Sequence, residues 1–131
     1  MKSARLLFLL AVVLTMTFSA VAQEGHPLTG TWYGDFGMTA NQRNDLTVIM
    51  KWDGQKTTGM INPGPNVTNL QTAALDDKWN VHFEVDAKNK AGGMDHFVFD
   101  GVIKNPIAGN RTIVGTWTCG NTKGDFRLRR L

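Results

Sequence analysis

An antiparallel, all-β fold is predicted by three features of this 131-residue sequence. Apolar and polar residues alternate with period two through most of it. Turn-forming residues interrupt that alternation at spacings of about ten residues. No connection is long enough for the helix that a parallel crossover needs. Eight short strands, each with one apolar face, hide both edges of a sheet most economically by closing it. The expected architecture is therefore an eight-stranded antiparallel up-and-down barrel, preceded by a cleaved signal peptide.

The signal is read from the first residues. Met1-Lys2-Ser3-Ala4-Arg5 is a basic start, Leu6 to Leu14 is unbroken apolar sequence, and Ala20-Val21-Ala22 supplies the small-x-small pattern of a cleavage site. The run is shorter than the roughly 20 residues of a bilayer span, so stable membrane insertion is not expected. No cysteine follows it, which argues against a lipid anchor. The domain assignment is signal peptide over 1–22 and one β-barrel domain over 23–131, with a secreted or periplasmic destination. The mature chain has 109 residues, enough for one small domain.

Without Lys2 and Arg5 the mature chain carries 12 basic and 11 acidic residues. A net charge of +1 leaves no global footprint for nucleic acid. Cys119 is the only cysteine, so no internal disulfide staples the domain and packing must hold it. Its plain reading is a small half-buried residue; the competing one is an intermolecular disulfide that joins a dimer.

The eight expected strands are Leu28–Phe36, Asp45–Trp52, Lys56–Asn62, Thr68–Leu75, Trp79–Asp86, Asp95–Ile103, Arg111–Thr118 and Asp125–Arg130. Trp79, Val81, Phe83 and Val85 alternate with Asn80, His82, Glu84 and Asp86, which sets an inward face. Leu46, Val48, Met50 and Trp52 form a second such face, and Phe97, Phe99, Gly101 and Ile103 a third. Gly30, Gly34, Gly101 and Gly115 share the inward phase, where glycine lets a strand bend enough to close a small barrel. Tight turns at Asp53-Gly54 and Asp76-Asp77-Lys78 define a lower end, expected to be closed by Trp52, Trp79 and the final strand. Longer connections at 37–44, 63–67 and 87–94 define an upper mouth.

All four tryptophans, Trp32, Trp52, Trp79 and Trp117, fall on the inward phase. A barrel this narrow is filled by its own side chains, so most of them are expected to be core. The upper rim is different: Phe36, Met38, Val85, Met94, Phe97 and Trp117 gather adaptable methionines and rigid aromatics beside open loops. These six are the candidate ligand-binding residues, for a small apolar ligand or a peptide. The competing reading is a filled barrel that works through its outer surface.

Gly30-Thr31-Trp32 near the start and Gly115-Thr116-Trp117 near the end form a short repeat. At Gly30-x-Trp32 the chain resembles the calycins, the lipocalin and avidin group. That resemblance implies a structural role for Gly30, Trp32 and Arg130, with the Arg130 guanidinium stacked on the Trp32 ring to seal the barrel. Gly59 to Gly64, Val81 to Val85, Ile113 to Trp117 and Phe126 to Arg130 occur in an order similar to the small lipocalin-like barrels of secreted bacterial proteins. Such barrels often precede hydrolase domains, which implies an accessory or partner-docking role as the alternative. The avidin opening is similar too, but Gly34 and Met38 stand where that family's polar biotin contacts would be. Biotin binding is not expected.

His82-x-Glu84 with His96 is a zinc-compatible set of residue types, yet all three alternate outward, and a solvated face is the preferred reading. No metal and no cofactor are expected. The mature chain has no serine, since Ser3 and Ser19 lie in the signal, and Cys119 has no histidine assigned beside it. No catalytic residue is assigned and no enzyme activity is expected. Arg127, Arg129 and Arg130 are read as a solvated basic strand end, and His26 as a tail residue without an assigned partner.

Overall fold

The computed structural model describes residues 26–62, 67–107 and 109–131. The signal peptide expected over 1–22 lies outside them. Nine strands follow in chain order: β1 (Gly30–Thr39), β2 (Gln42–Trp52), β3 (Thr57–Ile61), β4 (Thr68–Asn69), β5 (Thr72–Leu75), β6 (Asn80–Lys88), β7 (Met94–Lys104), β8 (Thr112–Cys119) and β9 (Thr122–Arg130). All neighbours are antiparallel and form one sheet in the order β4-β3-β2-β1-β9-β8-β7-β6-β5. The sheet curls into a half-barrel, with no helix among the described residues, and none there is long and apolar enough to cross a membrane.

The count differs from the expected eight at one place. Thr68–Leu75 reads as a single strand in the sequence but divides at Leu70 and Gln71. The Leu70 N–H donates to the Gly59 carbonyl (2.9 Å), whereas the next N–H, of Gln71, donates to the Glu84 carbonyl (2.9 Å). The segment therefore changes partner, from β3 to β6, within two residues. The two ends of the curled sheet meet in this one kinked stretch of chain.

Alternation decides what is buried. Leu46, Val48 and Met50 of β2, Val81, Phe83 and Val85 of β6, and Phe126 and Leu128 of β9 turn inward onto Trp32, Phe99 and Ile113. The predicted phases of these strands hold because each has one wet face and one packed face. Trp32 is wholly buried, and its indole N–H donates to the Leu28 carbonyl at 2.9 Å.

Two tryptophan assignments change. Trp79 is not an inward strand residue but part of the turn before β6, and it is 39% exposed. The Asp76 carboxylate accepts the N–H groups of Lys78 (2.9 Å) and Asn80 (2.8 Å), and the Asp76 N–H donates to the Asn80 carbonyl (3.0 Å). That wrapping pushes Trp79 to φ 67°, a left-handed turn position usually given to glycine. Trp52 is half-buried and stacks on His26, with ring centroids 4.5 Å apart. His26 thus has a partner after all; its Nδ1 also accepts the Leu28 N–H (3.2 Å), and burial lowers its pKa. The lower end is closed by Leu28, Trp32 and this stacked pair rather than by Trp79.

Two of the upper connections, those at 37–44 and 87–94, are shorter than expected. The connection read as 37–44 is a two-residue turn, because β1 continues to Thr39 and β2 begins at Gln42. A register shift between Gly37 and Thr39 turns Met38 out of the inward phase and leaves it 55% exposed.

Candidate functional site

A cavity of about 730 Å³ lies at the upper end of the half-barrel. Its floor is aromatic and aliphatic: Phe36, Leu46, Ile61, Val85, Phe97 and Phe99. Phe36 meets Phe97 and Trp117 edge to face at 6.2 and 5.6 Å, and the Phe83 and Phe99 rings stack at 4.6 Å beneath them. Such ring contacts hold the floor in one arrangement.

Of the six residues singled out from sequence, Phe36, Val85, Met94 and Phe97 line this cavity. Trp117 does not. It is buried one layer below, packed on Phe36 and Phe97, with its indole N–H donating to the Gly37 carbonyl (3.3 Å). Met38 is displaced by the register shift described above. Sequence reading missed Leu46, Ile61 and Phe99; the inward phase of Leu46 and Phe99 was legible, but their height in the barrel was not, and Ile61 was given no phase.

The rim is polar and mixed in charge. Asp86, Lys88, Asn89, Lys90 and Asp95 come from the end of β6, the start of β7 and the turn between them. The Asn89 side chain organises that turn. Its amide donates to Asp95 (3.1 Å) while its carbonyl oxygen accepts the Ala91 and Gly93 N–H groups (both 3.0 Å).

The residues Gly30, Trp32 and Arg130 lie together at the lower end. Arg130 pairs in register with Trp32, and its Nε donates to the Thr29 carbonyl (2.9 Å). A Cβ on Gly30 would come within 2.6 Å of that Nε, so the glycine makes room for the guanidinium. The polar contact that holds the Arg130 guanidinium there is this hydrogen bond. Among the described residues the guanidinium that covers a ring is Arg129, 4.8 Å from the centre of Tyr33 on the outer face. Arg127 turns to Asp35 (3.4 Å), so the three arginines read as one patch serve three different sites. Asp35 also binds Arg43 at 2.7 Å, and the Arg43 and Arg127 guanidiniums hold its carboxyl below the usual range.

The outer face of β6 and β7 carries a chain of alternating acids and histidines. Asp100 meets His82 Nδ1 at 2.5 Å, and His82 Nε2 meets Glu84 at 2.8 Å. The other Glu84 oxygen meets His96 Nε2 at 2.8 Å, and His96 Nδ1 meets Asp86 at 2.6 Å. A neutral imidazole has one N–H, so only the imidazolium satisfies two carboxylates at once. Asp100 and then Glu84 raise the pKa of His82; Asp86 and then Glu84 raise that of His96. The two histidines together hold the Glu84 carboxyl low, His82 foremost.

This arrangement does not suit one metal ion. His82 sits opposite Asp100 and His96 opposite Asp86. Both rings approach Glu84, but from opposite sides and onto different oxygens, and their Nδ1 atoms are taken by Asp100 and Asp86. No group of three His, Cys, Asp or Glu residues converges on a metal position among the described residues.

A pH dependence follows with a definite sign. Both histidines gain affinity for the proton on folding, so their stabilisation is complete below the ordinary histidine pKa of about 6.5 and is lost as pH rises through their raised values. Glu84 has a lowered pKa, so its share is present above the ordinary carboxyl range and is lost as pH falls through the lowered value. We expect His82→Gln and His96→Gln to lower the melting temperature at pH 6, with the difference shrinking on the alkaline side. Exposure to solvent keeps the effect small. Melting curves from pH 5 to 9 check this; a difference independent of pH would refute the imidazolium chain.

Cys119 is half-buried behind the aromatic cluster, and burial together with Asp95 pushes its thiol pKa up. A protonated thiol is a poor nucleophile.

At the level of class, the molecule is a curled antiparallel β half-barrel with an apolar cavity at one end, an architecture compatible with the calycin-like folds. No family model matches the chain, and no curated protein matches it.

Proposed function

We propose that the protein is an exported, non-enzymatic binding module that takes a small apolar ligand, or an apolar group of a peptide, at the upper mouth of a calycin-like barrel. Counting Thr68–Leu75 as one kinked strand gives the eight strands of such a barrel. The observation that carries the reading is the cavity of about 730 Å³ with its aromatic floor, inside the range of small-molecule sites, roughly 300–1,000 Å³. Its shape favours recognition through burial of an apolar group, with polar rim atoms left for orientation. The absence of serine from 23–131 and the raised thiol pKa of Cys119 favour binding over nucleophilic catalysis.

The alternative, an accessory domain that docks through its outer surface, has Val102 and Val114 in its favour. They pair in register and are both exposed. Two valines make a small patch beside a cavity of this size, so the mouth is preferred.

The test uses the neutral fluorophore N-phenylnaphthylamine with the mature protein. We expect saturable enhancement of its fluorescence, weakened at least tenfold by Phe97→Ser and unchanged by Val114→Ser. Native mass spectrometry of protein from its own host should add a bound mass. Absence of both signals would discard the mouth as a binding site.

A further inference from the structure

The cavity is lined along β6 by consecutive residues, Val85, Asp86, Ala87 and Lys88. Side chains of a strand alternate between faces, so one face could contribute only every second residue. An unbroken run means that the cavity follows the edge of the strand as well as its inner face.

Among the described residues, the pairing leaves the far end of that edge without a strand. β5 pairs with β6 only as far as Thr72 opposite Glu84, while β6 continues to Lys88. The direction of the backbone groups is fixed by three hydrogen bonds. The carbonyls of Asn80 and Glu84 accept from Asp76 (3.0 Å) and Gln71 (2.9 Å) on the β5 side, and that of Trp79 accepts from Ile103 of β7 (2.9 Å). Even-numbered residues of β6 therefore direct N–H and C=O towards β5, and odd-numbered ones towards β7. Beyond the end of β5, the N–H and C=O groups of Asp86 and Lys88 face the cavity with no strand partner among the described residues.

We infer that the occupant of the mouth is an extended peptide that adds to this edge of β6. The inference rests on the mouth reading above and names the chemical class of its ligand. Asp86 and Lys88 offer two donors and two acceptors in register, which an extended main chain satisfies and a hydrocarbon does not. Peptide residues opposite Val85 and Ala87 share their inward phase and fall on the Phe36 and Phe97 floor. The residue between them stays outside. There Lys88 and Lys90 supply two ammonium groups, whereas Asp86 is already engaged by His96 and Gln71. The preferred segment is apolar-x-apolar, with an acidic residue at or beside x.

The probe is a library of capped heptapeptides, competed against N-phenylnaphthylamine on the mature protein. Selected peptides should show apolar residues two apart with an acidic neighbour. N-methylation of the amide that faces β6 should weaken binding at least tenfold, and methylation of the next amide should not. Lys88→Pro removes one edge donor while leaving the β7 ladder intact, since proline is tolerated on an open edge. It should abolish peptide binding while weakening the fluorophore far less, whereas Lys88→Gln should cost only a few-fold. Fluorophore binding without any selected peptide, or peptides indifferent to N-methylation and to Lys88→Pro, would overturn the peptide assignment and leave the apolar mouth standing. Loss of the fluorophore signal in the parent protein would overturn both. A concentration-dependent dimer that blocks the fluorophore would mean that a second copy occupies the edge, and would also overturn the assignment.

Discussion

Trp32→Ala is expected to remove about 3–5 kcal/mol of stability, the usual range for deleting a large buried ring. The indole is fully enclosed, and its N–H is the donor to the Leu28 carbonyl. Alanine therefore leaves both a void and an unpaired carbonyl beneath β1, in the strand that pairs with β2 on one side and β9 on the other. The void cannot collapse easily, because its walls are strands tied by ladders. Trp32→Phe separates the two effects. It keeps most of the ring and loses the hydrogen bond, worth about 1 kcal/mol with a further 1–3 for a buried acceptor left alone. Trp79→Ala is the control, since Trp79 is a turn residue near 40% exposure; it should cost far less. Urea midpoints of the three variants give the ranking. A Trp32→Ala protein that unfolds with the parent would show that Gly30-x-Trp32 does not anchor the lower end. Domains of this kind have roughly 5–15 kcal/mol in all, so failure to fold at 37 °C also agrees with the assignment, provided Trp32→Phe folds.

What was legible in the sequence was periodic. Val81, Phe83 and Val85 gave their inward phase directly, as did Leu46, Val48 and Met50, because each strand has one packed and one wet face. Aperiodic features escaped. The Asp76 turn places a tryptophan at a left-handed position, where local sequence statistics expect glycine. The shift at Gly37 moves Met38 by half a period, a change that propensity cannot register. The polar run Asn41–Asn44 resembles a loop, but only Asn41 belongs to the turn and Gln42 to Asn44 open β2. The cavity lining was partly legible: Phe36, Val85, Met94 and Phe97 were found from phase and loop position. Leu46, Ile61 and Phe99 required the register between strands. The end of β6 that has no strand partner among the described residues was beyond reach, because it arises from unequal strand lengths, four residues in β5 against nine in β6, and from a partner change at Leu70 and Gln71.

Gly115→Ala should be nearly as damaging, for a different reason. Gly115 of β8 lies directly opposite Gly101 of β7, and on its other side faces Phe126 of β9. A Cβ at Gly115 would overlap the Asp100 carbonyl oxygen and the Gly101 Cα. Both are backbone atoms, so no rotamer change can relieve the contact, and β7 must separate from β8. Overpacking of a well-packed core costs about 1–3 kcal/mol and occasionally more; with only backbone to displace, we expect the upper end or beyond. Gly101→Ala is the graded comparison. Its Cβ would meet the Val114 carbonyl at 2.7 Å and the end of the Phe126 ring at 3.0 Å, and part of that contact yields when the ring tilts. Gly109→Ala meets nothing within 4 Å, so it should be neutral or slightly stabilising through the unfolded chain. The expected order of denaturation midpoints is Gly109→Ala, then Gly101→Ala, then Gly115→Ala well below. Equal midpoints for the last two would mean that β7 and β8 need no glycine to approach. The paired glycines would then not be what lets the sheet coil around Phe83, Phe99 and Phe126, and the curvature that shapes the upper cavity would need another source.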